Sequence, residues 1–379
     1  MFNFTTNLPL SLYIHIPWCV RKCPYCDFNS HEIRADIPEV DYINALLADL
    51  EQDLVRVSGR KIDSIFFGGG TPSMLSPDAI DRLLSGVRQR IPIIADAEIT
   101  LEANPGTVDN ERFQGFYQAG INRLSIGIQS FDDDSLKKIG RIHDSLAAKK
   151  AIEAAQKAGF NNINLDLMFG LPAQTEKMAL ADLETAVSFE TTHISWYQLT
   201  IEPNTLFYHQ TPTNIGDEDL LWQMQMAGQK YLAAQNYKQY EISAYAKQMC
   251  KHNLNYWKFG DYLGIGAGAH SKITNLDTIT RLSKQRQPQT YLDSADKIAT
   301  SKQLKIEDVK LEFMMNALRL VDGFTKQEFE QNTGLKLAVV ETQIQAAINN
   351  NWLLHQNGRF YASSLGMRFL NDLLGLFML

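Results

Sequence analysis

From residue 11 to about residue 200, short apolar runs alternate with amphipathic stretches at regular spacing. The apolar runs Leu12–Ile16, Ser64–Phe67, Glu98–Glu102, Arg123–Gln129, Asn162–Phe169 and His193–Leu199 predict strands. The stretches between them predict helices over Val40–Arg56, Pro77–Arg90, Asn110–Ala119, Asp133–Ile139 continuing to Ser145–Ala158, and Thr175–Phe189. Helix punctuation agrees. Ser76-Pro77 stands at a helix start, and Gly120 and Gly159 follow helix ends. Repeated strand–helix units imply a parallel sheet with right-handed crossovers. Six units predict an α/β fold, a partial (β/α)6 TIM-like barrel rather than a complete eightfold one.

The polar segment Lys284–Gln289 marks a boundary, which divides the chain into residues 1–285 and a smaller domain over 286–379. Helices are expected at Ile306–Leu320, Thr325–Thr333 and Ala338–Asn350. A hairpin is expected over Trp352–Tyr361 on an Asn357-Gly358 turn, followed by a helix over Leu365–Leu376. This is a winged-helix-like α+β pattern. Between Lys302 and Asp372 eight basic residues face eight carboxylates, so nucleic-acid binding is disfavoured. The apolar end Phe369–Leu379 is read as a core-facing helix, with a peripheral membrane or partner contact as the alternative.

Composition narrows the class further. The net charge of −7 offers no overall attraction to nucleic acid or anionic lipid. Four cysteines in 379 residues is the usage of a reducing compartment. The first ten residues lack the features of a signal peptide, and no run of eighteen apolar residues occurs. A cytoplasmic protein is expected.

The chemistry concentrates where the first strand ends. Cys19-Val-Arg-Lys-Cys23-Pro-Tyr-Cys26 packs three thiols into eight residues of loop. Three thiolates can hold three irons of a four-iron–four-sulfur cube and leave the fourth iron open. A disulfide would strand one thiol, and zinc would need a fourth ligand, for which His31 is near. Polar residues also stand at the same end of the later strands. Gly68-Gly69-Gly70-Thr71 follows the second strand, Glu102 ends the third, Gln129 ends the fourth, Asp166 lies in the fifth, and Gln198 and Thr200 close the sixth. Barrel sites form at the C-terminal ends of strands, and buried polar groups are costly unless they bind something.

The C-x3-C-x2-C spacing resembles the radical S-adenosylmethionine (SAM) superfamily. A longer ordered set resembles the oxygen-independent coproporphyrinogen III oxidase family: Tyr13–Cys19, Phe67–Ser73, Glu102–Pro105, Ser125–Phe131, Gly140–His143 and Asp166–Pro172. The resemblance implies that Cys19, Cys23 and Cys26 ligate a 4Fe-4S cluster. It implies that Tyr13, Tyr25, Gly69, Gly70, Thr71, Glu102, Gln129, Arg141 and Asp166 bind SAM. In that setting Glu102 suits the ammonium or ribose hydroxyls, Arg141 the carboxylate and Asp166 the ribose diol. The oxidases continue to a fourth cysteine where Phe28 stands here, and they carry a longer segment before the cysteines than the eighteen residues found here. Both departures resemble the family's heme-chaperone branch.

His252-Asn253-Leu-Asn-Tyr256-Trp257 matches a motif of that branch linked to heme, with His252 as the iron ligand and the aromatic rings against the macrocycle. Cys250 is read as a structural thiol, and no phosphate cradle is read into Gly264–Ser271. The resemblance thus implies SAM, a 4Fe-4S cluster and heme as bound groups, with client hemoproteins and a reductant for the cluster as partners; a dimer is compatible with it. The alternative it leaves is the oxidase itself, in which a 5′-deoxyadenosyl radical drives decarboxylation of coproporphyrinogen III propionates.

Overall fold

The computed structural model describes residues 2–34, 36–57 and 59–378. Met1 and Leu379, the outer ends of two stretches read above, lie outside them. Twelve strands form the main sheet. In chain order they are β1 (Leu10–Ile16), β2 (Ile62–Gly69), β3 (Ile93–Ala103), β4 (Arg123–Gln129), β5 (Ile163–Phe169), β6 (His193–Gln198), β7 (Lys238–Glu241), β8 (Ala244–Ala246), β9 (Asp261–Ile265), β10 (His270–Thr274), β11 (Ile279–Lys284) and β12 (Ile298–Gln303). Their order across the sheet is β12-β11-β10-β9-β1-β2-β3-β4-β5-β6-β8-β7.

Neighbours from β1 to β6 are parallel, as the strand–helix repeat predicts, and β9 adds a parallel strand beside β1. The sheet stays open, because β7 and β8 at one margin and β10 to β12 at the other pair antiparallel. The partial barrel is therefore the observed architecture. The strands from 238 to 303 have no counterpart in the apolar pattern read above. They are short, and some are mostly polar, as in Lys238-Gln-Tyr-Glu241.

Sequence punctuation accounts for the helix ends. Ser76 caps the helix Pro77–Arg90 by accepting from Ala79 N–H, and its own backbone and hydroxyl donate to Glu39 at 2.6 and 2.7 Å. Asp109, Asp144 and Thr175 cap the next helices in the same way. Gly120 takes the left-handed conformation that ends the helix Asn110–Ala119. Inward-facing apolar residues of β1 to β6 and of these helices form one core, from Leu10 through Trp196.

A second core joins the helices Ile306–Ala317, Lys326–Thr333 and Glu341–Asn349 to a three-stranded sheet of Phe324–Thr325, Arg359–Ala362 and Leu353–Gln356. This is the winged-helix-like unit. The main sheet runs on past residue 286 to Gln303, so we place the division between the two units near residue 304. The expected terminal helix is broken at Phe369 into Ser364–Arg368 and Leu370–Gly375, with Leu373 and Phe377 turned into the second core. Phe4 and Leu8 also belong to that core, so the segment before β1 stitches the two units together. No helix among the described residues is long and apolar enough to cross a membrane.

Candidate functional site

Pro17 stops β1, and Trp18–Cys19 then pairs with His31–Glu32, which closes the cysteine loop at its base. Inside the loop Cys26 N–H donates to Cys23 C=O at 3.1 Å. Asn29 fastens the loop to the segment after β9, its amide donating to Ala267 and Arg286 carbonyls at 2.9 Å each. This gives the Gly264–Ser271 run a structural reason: a Cβ on Gly268 would sit 2.3 Å from the Asn29 amide nitrogen. Cys19, Cys23 and Cys26 are all free thiols and face one cavity of about 540 Å³, a size usual for small-molecule sites.

Burial pushes the Cys19 thiol up to about 11 and raises Cys26 as well, so these two thiols would release protons on binding a metal. Three thiols that one short loop turns towards one cavity fit the three protein ligands of a four-iron–four-sulfur cluster with one open iron.

The glycine triplet closes the cavity floor. A Cβ on Gly69, which has φ +117°, would lie 2.6 Å from His15 Cε1, and one on Gly70 would lie 2.4 Å from the Trp18 carbonyl oxygen. These glycines let β2 pass beneath the start of the cysteine loop, where Gly70 and Thr71 N–H donate to Ile16 and Trp18 carbonyls. Gly69, Gly70 and Thr71 also line the cavity. Tyr13 stands apart from it. Its ring backs Gly68 and its hydroxyl meets His15 Nδ1 at 3.0 Å, which makes it a support of the floor.

Tyr25, Glu102, Gln129, Arg141 and Asp166 face the same space. Glu102 accepts from Gly69 N–H at 3.3 Å, and burial together with the Asp166 charge pushes its carboxyl up to about 8. Asp166 is raised by burial, against hydrogen bonds from Ser125 at 2.9 Å and Asn164 at 2.8 Å. Arg141 donates to Gly127 C=O at 2.6 Å and to Cys23 Sγ at 3.7 Å, while its buried Nε has no partner. A fixed guanidinium with a spare buried donor, in a cavity that two acidic side chains also line, suits a zwitterion such as the amino-acid end of SAM.

The motif at 252–257 is split by the structure. It forms the helix Lys251–Trp257, at whose start Cys250 Sγ and His252 N–H donate to Glu98 at 3.2 Å each, and Asn253 and Trp257 line the cavity. His252 is fully enclosed. Its Nδ1 meets Ser64 Oγ at 2.9 Å, its ring packs on Phe66 and Tyr256 at 5.0 Å, and burial lowers its pKa to about 3. Tyr256 packs on Tyr262 behind the wall. The iron-ligand role expected for His252 therefore does not match its position, since heme would reach it only after this helix left the barrel. Cys250 is equally enclosed, its thiol donating to Glu98 at 3.2 Å.

Tyr197 and Glu241 are among the residues of this site that went unread in the sequence. Tyr197 donates to Gln129 at 2.7 Å, and Glu241 lines the inner end of the cavity, bonded by Arg319 at 3.2 Å. Period-two alternation would have found Tyr197. His193, Ser195 and Tyr197 in β6 share one face, as do Asn164, Asp166 and Met168 in β5. Glu241 lies in a strand with no such signal.

Comparison with known proteins identifies the family. The model of the radical SAM superfamily matches residues 13–186, and that of the HemN C-terminal domain matches residues 305–369. The chain is 51% identical over 377 residues to a protein named heme chaperone HemW from Haemophilus influenzae, with 98% of each chain covered. The chain belongs to the HemW family. The relative of that name from Escherichia coli is 48% identical with 98% of each chain covered, and the one from Bacillus subtilis is 33% identical over 97% of this chain and 99% of its own. Coproporphyrinogen III oxidase (HemN) from Escherichia coli, a radical SAM enzyme, shares the fold at a TM-score of 0.82. It is 21% identical, with 98% of this chain and 90% of that one covered.

Proposed function

We propose that this protein is a heme chaperone, which binds heme and delivers it to client hemoproteins while holding a 4Fe-4S cluster and SAM at the barrel mouth. The observation that carries the reading is the 51% identity, along nearly the whole chain, to a protein named heme chaperone HemW. Support comes from position 28, where an exposed phenylalanine follows the three cysteines in place of a fourth thiol.

Cys19, Cys23 and Cys26 would hold the cluster, which supplies an iron able to chelate SAM and an electron when reduced. The chain's own groups then orient SAM. Arg141 takes the carboxylate, Glu102 the ammonium or a ribose hydroxyl, Asp166 the ribose diol, and Gln129 a polar edge, with Tyr25 and Gly69 to Thr71 as walls. Asn253 and Trp257 close the inner side. A reductant would serve the cluster. The deciding experiment incubates anaerobically reconstituted protein, loaded with heme, with an apo-hemoprotein and follows the client's heme spectrum. In parallel, the protein is given coproporphyrinogen III, SAM and reductant. Heme transfer without protoporphyrinogen formation is expected; turnover to protoporphyrinogen would replace the chaperone reading with an oxidase.

A further inference from the structure

Beneath Asp166 lies a row of buried polar side chains. Ser125, Asn164 and His193 are register partners across β4, β5 and β6, and Asn164 stands one step below Asp166 on the same face of β5. Asn164 and His193 are almost fully enclosed, and neither lines the cavity. Polar groups are costly to bury unless their hydrogen bonds are made. Here they are made. Asn164 Nδ2 donates to Asp166 Oδ1 at 2.8 Å and to Ser125 Oγ at 2.7 Å, and the Ser125 hydroxyl donates to Asp166 Oδ2 at 2.9 Å. The Asn164 oxygen meets His193 Nδ1 at 2.6 Å and Ser195 Oγ at 3.1 Å. On the other side of the ring, His193 Nε2 meets the hydroxyl of Tyr240, from β7, at 2.9 Å.

One end of this chain sets the direction of every bond in it. An ionised carboxylate accepts and cannot donate, so Asn164 turns its nitrogen to Asp166 and its oxygen to His193. That oxygen receives the proton on Nδ1, which leaves Nε2 of the neutral ring to accept from Tyr240. Each donor from Tyr240 onwards therefore points towards Asp166. Burial works against a charge there, while the bonds from Ser125 and Asn164 and the nearby Arg123 favour it. Glu102 is the opposing neighbour, close enough for its own carboxyl to be raised by the Asp166 charge. Each oxygen of Asp166 gives one lone pair to the chain and keeps another. Two such oxygens match the two hydroxyls of a ribose cis-diol, which donate.

We propose that His193 and Tyr240 are positioning residues for SAM, which through Asn164 hold Asp166 as a two-oxygen acceptor for the ribose diol. This rests on the reading of Asp166 as the ribose-binding residue and supplies the device behind it. Without the N–H of His193 the Asn164 amide is free to turn over. An amide oxygen set against Asp166 favours the carboxylic acid, which has one acceptor fewer for the diol.

The test titrates SAM and its 2′,3′-dideoxy analogue into anaerobically reconstituted full-length protein by calorimetry. Wild type should prefer SAM by about tenfold or more, the weight of a hydrogen bond to a charged group. His193→Leu should weaken SAM and leave the analogue nearly unchanged, so that the preference falls towards one. His193→Asn places an amide nitrogen near the position of Nδ1 and should recover most of the preference. Tyr240→Phe keeps the ring, removes the hydroxyl and should lose part of it. Cluster iron and sulfide should be unchanged in all three variants. A merely structural role would weaken both ligands alike. Equal losses for the two ligands, or a wild-type preference in both His193→Leu and Tyr240→Phe, overturn the inference and leave Asp166 at the ribose. Should His193→Leu not fold, an unchanged preference in Tyr240→Phe overturns it alone. Wild-type protein that does not tell SAM from the analogue removes Asp166 from the ribose, and the inference with it.

Discussion

The Tyr197 hydroxyl donates to Oε1 of Gln129 at 2.7 Å, and that bond decides which end of the amide is offered to the cavity. With its oxygen occupied, Gln129 presents NH2 groups, which are donors only. Gln129 itself is held at φ +69°, a left-handed conformation uncommon for a residue with a side chain. The cavity thus receives a donor whose direction is set twice, by the backbone and by Tyr197.

Tyr197→Phe should therefore weaken SAM binding through a freed, rotating amide. The expected loss is about 0.5–1.5 kcal/mol, the net worth of one neutral hydrogen bond, or roughly two- to tenfold in affinity. Cluster content should not change, because Tyr197 touches no thiol. Isothermal titration of SAM into the reconstituted variant measures it, and Gln129→Ala should show no further loss when combined with Tyr197→Phe.

Glu102 makes SAM binding depend on pH. Burial and the Asp166 charge push its carboxyl up to about 8, and Gly69 N–H and Arg123 oppose this only in part. In the empty protein at pH 7 the group is thus mostly protonated. A cationic ligand favours the ionised form, so binding would expel the proton. The sign follows: affinity should rise with pH, by at most about tenfold per unit, and level off above about 8. Glu102→Gln should flatten the profile. Calorimetry from pH 6 to 9 in two buffers of different ionisation enthalpy would detect the released proton; equal heats in both buffers would remove this account.

Much of this was legible in the sequence because each signal was local. The helices Pro77–Arg90 and Asn110–Ala119 were bounded by Ser76-Pro77 and Gly120, and the structure gives the same ends. The strand-end residues Glu102, Gln129 and Asp166 could be gathered because parallel topology puts the same ends together. What failed was long-range. Nothing near His252 in the chain announces that Ser64, 188 residues away, takes its Nδ1, or that Phe66 and Tyr256 enclose its ring. Glu241 reaches the cavity through a strand of four residues, and its partner Arg319 comes from the second unit. The resemblance gave Gly70 a place at SAM but not the reason for its missing side chain, which is the Trp18 carbonyl 2.4 Å from where a Cβ would stand.

Gly70→Ala should accordingly act on the cluster loop. The added methyl would meet a backbone carbonyl that cannot rotate away, so Trp18 and the adjoining Cys19 must shift. A cost of about 1–3 kcal/mol is expected, the usual penalty for overpacking. Reconstituted iron and sulfide should fall together with the visible absorption. Cys250→Ala serves as the comparison, since its thiol bonds Glu98 on the far side of the barrel and its loss should leave the cluster spectrum intact.

His252→Ala separates a structural histidine from a heme ligand. The ring fills space between Phe66 and Tyr256, and its Nδ1 meets Ser64 Oγ, which also pairs with Ser11 Oγ at 2.8 Å. Removing it leaves a cavity in the barrel wall, while Ser64 keeps one partner. Thermal or denaturant unfolding should therefore show a loss of about 2–4 kcal/mol, in the range of large-to-small core substitutions. The buried imidazole is neutral, with its pKa lowered to about 3 against an ordinary value of 6.5. Folding with a neutral histidine grows less favourable as the unfolded chain takes up a proton, so wild-type stability should fall as pH drops from 6.5 towards 3. The variant should lose that part of the pH dependence. The Soret band of its heme complex should match wild type. A shifted band at unchanged stability would put iron on His252 after all, and would require the helix Lys251–Trp257 to open when heme binds.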